Sequence, residues 1–166
     1  MNVLFLDVDG VLNGANTKEK TPSGYCFVED EKIEILKQII DEGNYQVVLS
    51  STWRQGFYDV MRRENSTTMA QDYLLLIERL NAHGIIVMSH TREDAFYGHR
   101  GSDIAHWLNN YSGEEKIEHI LILDDDDRVQ PYEEYALRTY YRDGLFPEHI
   151  ETAREILKKE FVQNEI

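Results

Sequence analysis

A single cysteine, Cys26, stands among the 166 residues, so no internal disulfide is possible and the chain suits a reducing compartment. Basic residues are scarce as well: 17 Lys and Arg against 31 Asp and Glu give a formal net charge of −14. Such a surface repels phosphate backbones at long range, which argues against a general nucleic-acid binder. A small phosphorylated ligand is still admissible, because a metal ion and a few local cations reverse the field inside a site. No apolar run is long enough to cross a bilayer, and the amino terminus enters a strand-like segment without a basic n-region or apolar h-region. Neither a membrane span nor a secretory leader is therefore expected, and the cytoplasm is the default location. Repeats, low-complexity tracts and Pro/Gly-rich linkers are missing too, so one soluble globular domain over residues 1–166 is expected.

What is present is an alternation of apolar strands and amphipathic helices. Val3 to Leu6 are four apolar residues in a row, the pattern of a strand buried on both faces. Tyr45–Leu49, Ile85–Met88, Ile120–Leu123 and Leu137–Tyr141 read as further strands. Between them, helical spacing appears over Glu29–Glu42, closed by Gly43, and over Ala70–Ala82, stopped at His83-Gly84. A third apolar stripe (Ile104, Trp107, Leu108, Tyr111) predicts a helix over Gly101–Tyr111, with Gly101 or Ser102 in the N-cap region. A last helix begins at Pro147 and continues to Phe161. Such alternation predicts a three-layer, Rossmann-like, doubly wound parallel sheet of about five strands, with ligands outside the carboxyl ends of the strands. Asn13–Val28 is polar and punctuated by Gly14, Pro22 and Gly24, which reads as a loop or small hairpin, a possible flap over that rim.

The rim is rich in carboxylates. The first strand ends in Asp7, with Asp9 two residues on and Gly10 behind it; the fourth runs into Asp124-Asp125-Asp126-Asp127; the second ends in Ser50-Ser51. Carboxylates gathered at the tips of buried strands cost free energy unless a cation lies between them, and a hard divalent cation with oxygen ligands is the economical answer. The plainer alternative is a strand followed by a solvated Asp-x-Asp-Gly turn. The histidines (83, 90, 99, 106, 119 and 149) show no metal-ligand spacing and read as structural or surface residues.

Leu6-Asp7-Val8-Asp9-Gly10-Val11-Leu12 resembles the first motif of the haloacid dehalogenase (HAD) superfamily, most of whose members are magnesium-dependent phosphatases. Three further parts follow in that family's order: Val47-Val48-Leu49-Ser50-Ser51, an apolar strand ending in Ser; Arg100, a single cation before a helix; and Ile120 to Asp125, an apolar strand ending in acids. The resemblance implies a phosphohydrolase in which Asp7 attacks phosphorus and forms an aspartyl-phosphate, while Asp9 serves as acid and then base. It implies Mg2+ bound by Asp7, by the Asp9 carbonyl and by Asp125 with Asp124 in support, leaving Asp126 and Asp127 solvated. Ser51, or alternatively Ser50, is expected to hydrogen-bond the phosphate, and Arg100, with Lys116 as its rival, to clamp it. Thr52, Trp53 and Arg54 are expected to wall the substrate pocket, although Trp53 packed on the sheet edge is as good a reading.

HAD members usually select substrates with cap insertions, and here only the 13–28 segment is available, so a minimal-cap enzyme with an open site is expected. The Ser-Ser-x-Trp-Arg and Leu-Asp-Asp-Asp pieces are similar to small HAD domains found alongside RNA-repair enzymes, which points to a small phosphorylated substrate or a phosphorylated nucleic-acid end. Two rival readings are a metal-dependent nuclease and a non-catalytic module that binds a phosphorylated ligand.

Overall fold

Strand β1 (Asn2–Leu6) lies at the centre of a parallel sheet whose order is β3-β2-β1-β4-β5. Its neighbours are β2 (Tyr45–Leu49) and β4 (His119–Asp124), with β3 (Val87–His90) and β5 (Ala136–Arg138) at the edges. The computed structural model describes residues 1–93 and 99–163. The apolar run Val3–Leu6 is fully buried because both faces of β1 are covered, as a central strand of a parallel sheet requires. Helices α1 (Asp30–Gly43), α2 (Arg54–Met61), α3 (Thr68–Ala82), α4 (Arg100–Asn110) and α5 (His149–Leu157) flank the sheet. The expected Rossmann-like α/β architecture is the one observed. No helix among the described residues is long and apolar enough to cross a membrane.

Register is what places the rim. Leu6 pairs with Leu49 on one side and with Leu123 on the other. The ladder then runs one rung further: Asp7 N–H donates to Leu123 O and Ser50 N–H to Leu6 O, both at 2.9 Å, and Thr139 N–H to Asp124 O at 3.0 Å. Asp7, Ser50 and Asp124 are therefore level, set there by backbone hydrogen bonds rather than by loop conformation.

Several boundaries differ from the sequence expectation, each for a local reason. Helix α2 was not expected at all. Its first turn carries Arg54 and Gln55, both buried, and only Phe57 and Val60 pack on the core, an apolar stripe short enough to be overlooked. Its one glycine reads as a breaker, yet a Cβ on Gly56 would come within 2.1 Å of the Met69 carbonyl, and only glycine permits α2 and α3 to approach so closely. Strand β3 starts at Val87 rather than Ile85, because the Ile85 N–H closes the end of α3 on Leu80 O at 2.9 Å. It then continues through Ser89 and His90, which have a polar, loop-like look. Strand β5 ends at Arg138 rather than Tyr141, since Asp143 and Gly144 N–H both turn back onto Tyr140 O. Helix α4 begins at Arg100, with His99 rather than Gly101 or Ser102 at its N-cap. Helix α5 stops at Leu157, and Phe161 N–H instead bonds Glu118 O beside β4.

The 13–28 segment forms a small antiparallel turn, with a bridge between Lys20 and Cys26. It is tied to α3 at two places: Thr21 and Ser23 hydroxyls donate to Asp72, and Arg79 pairs with Glu19 at 2.8 Å. The histidines behave as structural residues where they are buried. His90 stacks on Phe57 with centroids 3.9 Å apart and meets the Tyr73 hydroxyl at 2.8 Å, and burial pushes its imidazole down to about 4.

Candidate active site

Three acids from two neighbouring strand ends converge. Asp7 leaves β1 and Asp124 and Asp125 leave β4, and each offers a carboxylate oxygen within 4.8 Å of the others. Burial raises the Asp7 carboxyl above its ordinary value, with repulsion from Asp9 adding to it and Arg100, the Val8 N–H and the Ser51 hydroxyl opposing it. Asp124 is pushed up to about 8 by burial and then by repulsion from Asp7; Asp125 rises to about 6 for the same two reasons. An all-oxygen set whose members repel one another suits a hard divalent cation. Gly10 leaves room for the Asp125 carboxylate: at φ +77° its missing Cβ would lie 2.5 Å from the Asp125 Oδ2. Asp126 is outside the set, held down to about 2 by its hydrogen bonds to Arg128, and Asp127 is exposed.

These shifts predict a pH effect. Protons held by Asp124 and Asp125 in the folded state are lost from the unfolded chain near the ordinary carboxylate value of about 3.9, so the folded state binds more protons between there and about 8. Stability of the metal-free protein is expected to fall as pH rises through that window, and saturating Mg2+ is expected to reverse the fall. Melting curves in chelator and in Mg2+ across the window check this; parallel curves would mean that the cluster neither repels itself nor takes the ion.

Arg100 opens the first turn of α4 and reaches both acidic strand ends. Its Nε lies 2.5 Å from Asp124 Oδ2, its Nη2 3.4 Å from Asp7 Oδ1, and it donates to the Ser50 carbonyl. The placement depends on Gly101, whose missing Cβ would sit 2.0 Å from Gln130 O, so the helix start packs directly on the loop after β4. Lys116, the rival cation, lies at the opposite end of the sheet, where its carbonyl accepts from the Met1 amino group at 2.8 Å.

The two serines separate cleanly. The Ser51 hydroxyl accepts from Trp53 N–H at 3.2 Å and is close enough to the Asp7 carboxyl to oppose its upward shift. The Ser50 hydroxyl is buried with no partner among the described residues, and what Ser50 contributes is its carbonyl, to Arg54 and Arg100. Thr52 is exposed and Trp53 buried, and both line a cavity that begins at Asp9. Arg54 departs from the expected pocket wall: it is 2 % exposed, donating to the carbonyls of Ser50, Ser51 and Arg92 and pairing with Asp103 at 3.2 Å. It braces the floor of the site from below.

The Asp9 side chain is outside the three-acid cluster. Asn13 Nδ2 donates to its Oδ1 at 2.9 Å and Trp53 Nε1 to its Oδ2 at 3.0 Å. Sequence reasoning gave neither donor this role. The spacing from Asp9 to Asn13 is a weak local cue, but the indole is a contact across 44 positions and has none. Thr139 was also missed; its hydroxyl donates to Gly10 O at 2.5 Å and fixes the turn that follows Asp9.

No curated protein and no solved structure matches the chain. The family described as "HAD domain in Swiss Army Knife RNA repair proteins" matches residues 3–150, from β1 into α5. That span covers most of the chain, which therefore belongs to this family of HAD domains.

Proposed function

We propose that the chain is a Mg2+-dependent phosphomonoesterase that works through an aspartyl-phosphate on Asp7, with a nucleotide or nucleic-acid terminal phosphate as substrate. One observation supports this most: Asp7, at the end of the central strand, has Arg100 at 3.4 Å from the same carboxylate that joins Asp124 and Asp125. A nucleophile among like charges needs its anionic substrate neutralised, and phosphoryl transfer depends chiefly on such positioning and charge.

Asp7 contributes the attacking oxygen, forming a P–O bond as the bond to the leaving oxygen breaks. Asp9 gives its proton to that leaving oxygen, then takes one from the water that hydrolyses the aspartyl-phosphate, restoring Asp7 and releasing phosphate. Asn13 and Trp53 hold the Asp9 carboxylate in place for both transfers. Ser51 and Arg100 donate to the phosphoryl oxygens. Asp7, Asp124 and Asp125 would hold the Mg2+, whose positive charge lowers repulsion between carboxylates and phosphate.

The test is hydrolysis of an aryl phosphate with Mg2+ and with chelator, together with trapping by beryllofluoride. Chelator-sensitive turnover and an adduct located on Asp7 are expected. Phosphodiester cleavage without any adduct would replace this reading with a nuclease.

A further inference from the structure

From the end of β5 the chain carries a basic and aromatic stretch, Arg138-Thr139-Tyr140-Tyr141-Arg142, that the chemistry at Asp7 does not use. Strand alternation decides which side chains face out. Leu137 and Thr139 are buried, while the Arg138 guanidinium lies over the Tyr140 ring, 5.5 Å from its centroid. Tyr140 is 63 % exposed and Tyr141 53 %. Two consecutive rings left open to water are an unfavourable surface unless a ligand covers them.

The stretch is fixed to the site. Arg138 Nε donates to Asp125 O at 3.4 Å, and the Thr139 hydroxyl donates to Gly10 O. Ala15 N–H donates to Tyr141 O at 3.1 Å, and a Cβ on Gly14 would lie 2.6 Å from Arg142 O. The backbone that carries the rings is therefore held against the turn that follows Asp9. This part of the rim is also neutral, on a chain of net charge −14. Arg128 pairs with Asp126, Arg138 with Asp127 and Arg142 with Asp143. A polyanion repelled by the rest of the surface is not repelled here. Arg138 and Arg142 are exposed in these pairs, so a phosphate can compete with their carboxylates.

Open rings with guanidinium groups beside them suit a single-stranded nucleic acid, whose bases stack on aromatic faces while Arg meets the phosphates between them. A duplex keeps its base faces covered. We infer that residues 138–142 are a track for the strand whose terminal phosphate reaches Asp7, which makes the substrate the end of a single-stranded oligonucleotide rather than a mononucleotide. The inference rests on the phosphatase reading only for the position of that phosphate. Two strand spacings of about 4.8 Å each separate β1 from β5. At about 3.4 Å per nucleotide along a stacked strand, the rings come about three nucleotides from the end.

Fluorescence anisotropy of labelled oligo(U) and oligo(dT) without a terminal phosphate, titrated with the whole chain at one salt concentration, tests it without metal or turnover. Affinity is expected to rise roughly tenfold from two nucleotides to five, and a duplex of the same strand is expected to bind more weakly. Tyr140→Ala and Tyr141→Ala, at exposed positions, are each expected to weaken pentanucleotide binding roughly tenfold, and Tyr140→Phe, which keeps the ring, to bind like the parent. Affinity independent of length, a duplex binding as well as the single strand, or both alanine variants binding like the parent would overturn the track. No binding at all would assign the rings to a protein partner instead. RNA and DNA share the stacking faces and phosphates, so the two series are expected to agree; a preference of about tenfold or more for one would identify the source and keep the track. Turnover ties the track to the site: kcat/KM for a terminally phosphorylated pentanucleotide should exceed that for the mononucleotide roughly tenfold, and Tyr140→Ala should erase the difference. Equal values in the parent would place the bound strand away from Asp7 and overturn the inference. Aryl phosphate hydrolysis without oligonucleotide binding would remove the track and keep the phosphatase; tyrosine-dependent binding without hydrolysis does the reverse.

Discussion

Asp7→Asn is expected to lower aryl phosphate turnover by roughly 10⁴-fold or more while raising the melting temperature of the metal-free protein. The loss follows because an amide has no anionic oxygen for phosphorus and cannot form the mixed anhydride. The stability gain follows from the cause of the Asp7 shift, in which burial comes first and Arg100 only offsets it. Neutralising one of three crowded acids removes repulsion from Asp124 and Asp125, and Arg100 keeps Asp124 and the Ser50 carbonyl as partners. Turnover and melting in chelator, measured on the same preparation, check both halves. Full turnover would remove Asp7 as nucleophile. A lowered melting temperature would show that its attraction to Arg100 outweighs the cost of burial.

Asp103→Ala is expected to be the most destabilising single change near the site, by ~3–5 kcal/mol. Asp103 sits in the first turn of α4, 1 % exposed, and receives Arg54 Nη2 at 3.2 Å and Arg92 Nε at 2.8 Å. Its removal strands the Arg54 guanidinium in the interior with less compensating charge, and this is the costly case for a buried ion pair. Arg92 is a third exposed and solvates readily. The double change Arg54→Met with Asp103→Leu should recover part of the loss, because it leaves neither partner of this pair buried without the other. Urea unfolding of parent, single and double variants measures this. Because Arg54 also braces the Ser50 and Ser51 carbonyls, the single variant should lose activity as well. A cost below about 1 kcal/mol, the range of exposed pairs, would show the pair to be hydrated and the brace unimportant.

The architecture was legible because each core strand is an apolar run that ends in a polar break, and the acids mark the break in β1 and β4 directly. Arg100, with Lys116 as its rival, and Ser51, with Ser50, could be named from order along the chain, and the structure puts Arg100 against Asp7. What stayed hidden was polar burial. Arg54 and Gln55 look like solvent-facing residues but fill the inner face of α2, since their heads find carbonyls of residues 92 and 93 and, for Arg54, an acid at 103. The apolar stripe of that helix is left to Phe57 and Val60 alone, too short to announce it. The grip of Trp53 on Asp9 was equally silent, because a tryptophan two residues past a serine looks the same whether its indole N–H meets a carboxylate or water. Element ends moved for a third reason: the N–H of Ile85 and the turn at Tyr140 are claimed by hydrogen bonds that compete with the sheet.

The level alignment of Asp7, Ser50 and Asp124 has a consequence for biosynthesis. The central strand leaves the ribosome well before its second partner, which starts at His119, so one of its hydrogen-bonding edges stays bare until β4 emerges. Contacts this distant in sequence close slowly, and a bare apolar edge invites intermolecular pairing. A nascent chain arrested before β4 should accordingly be inert and prone to self-association, and the appearance of catalysis would mark the instant at which the last rung is laid.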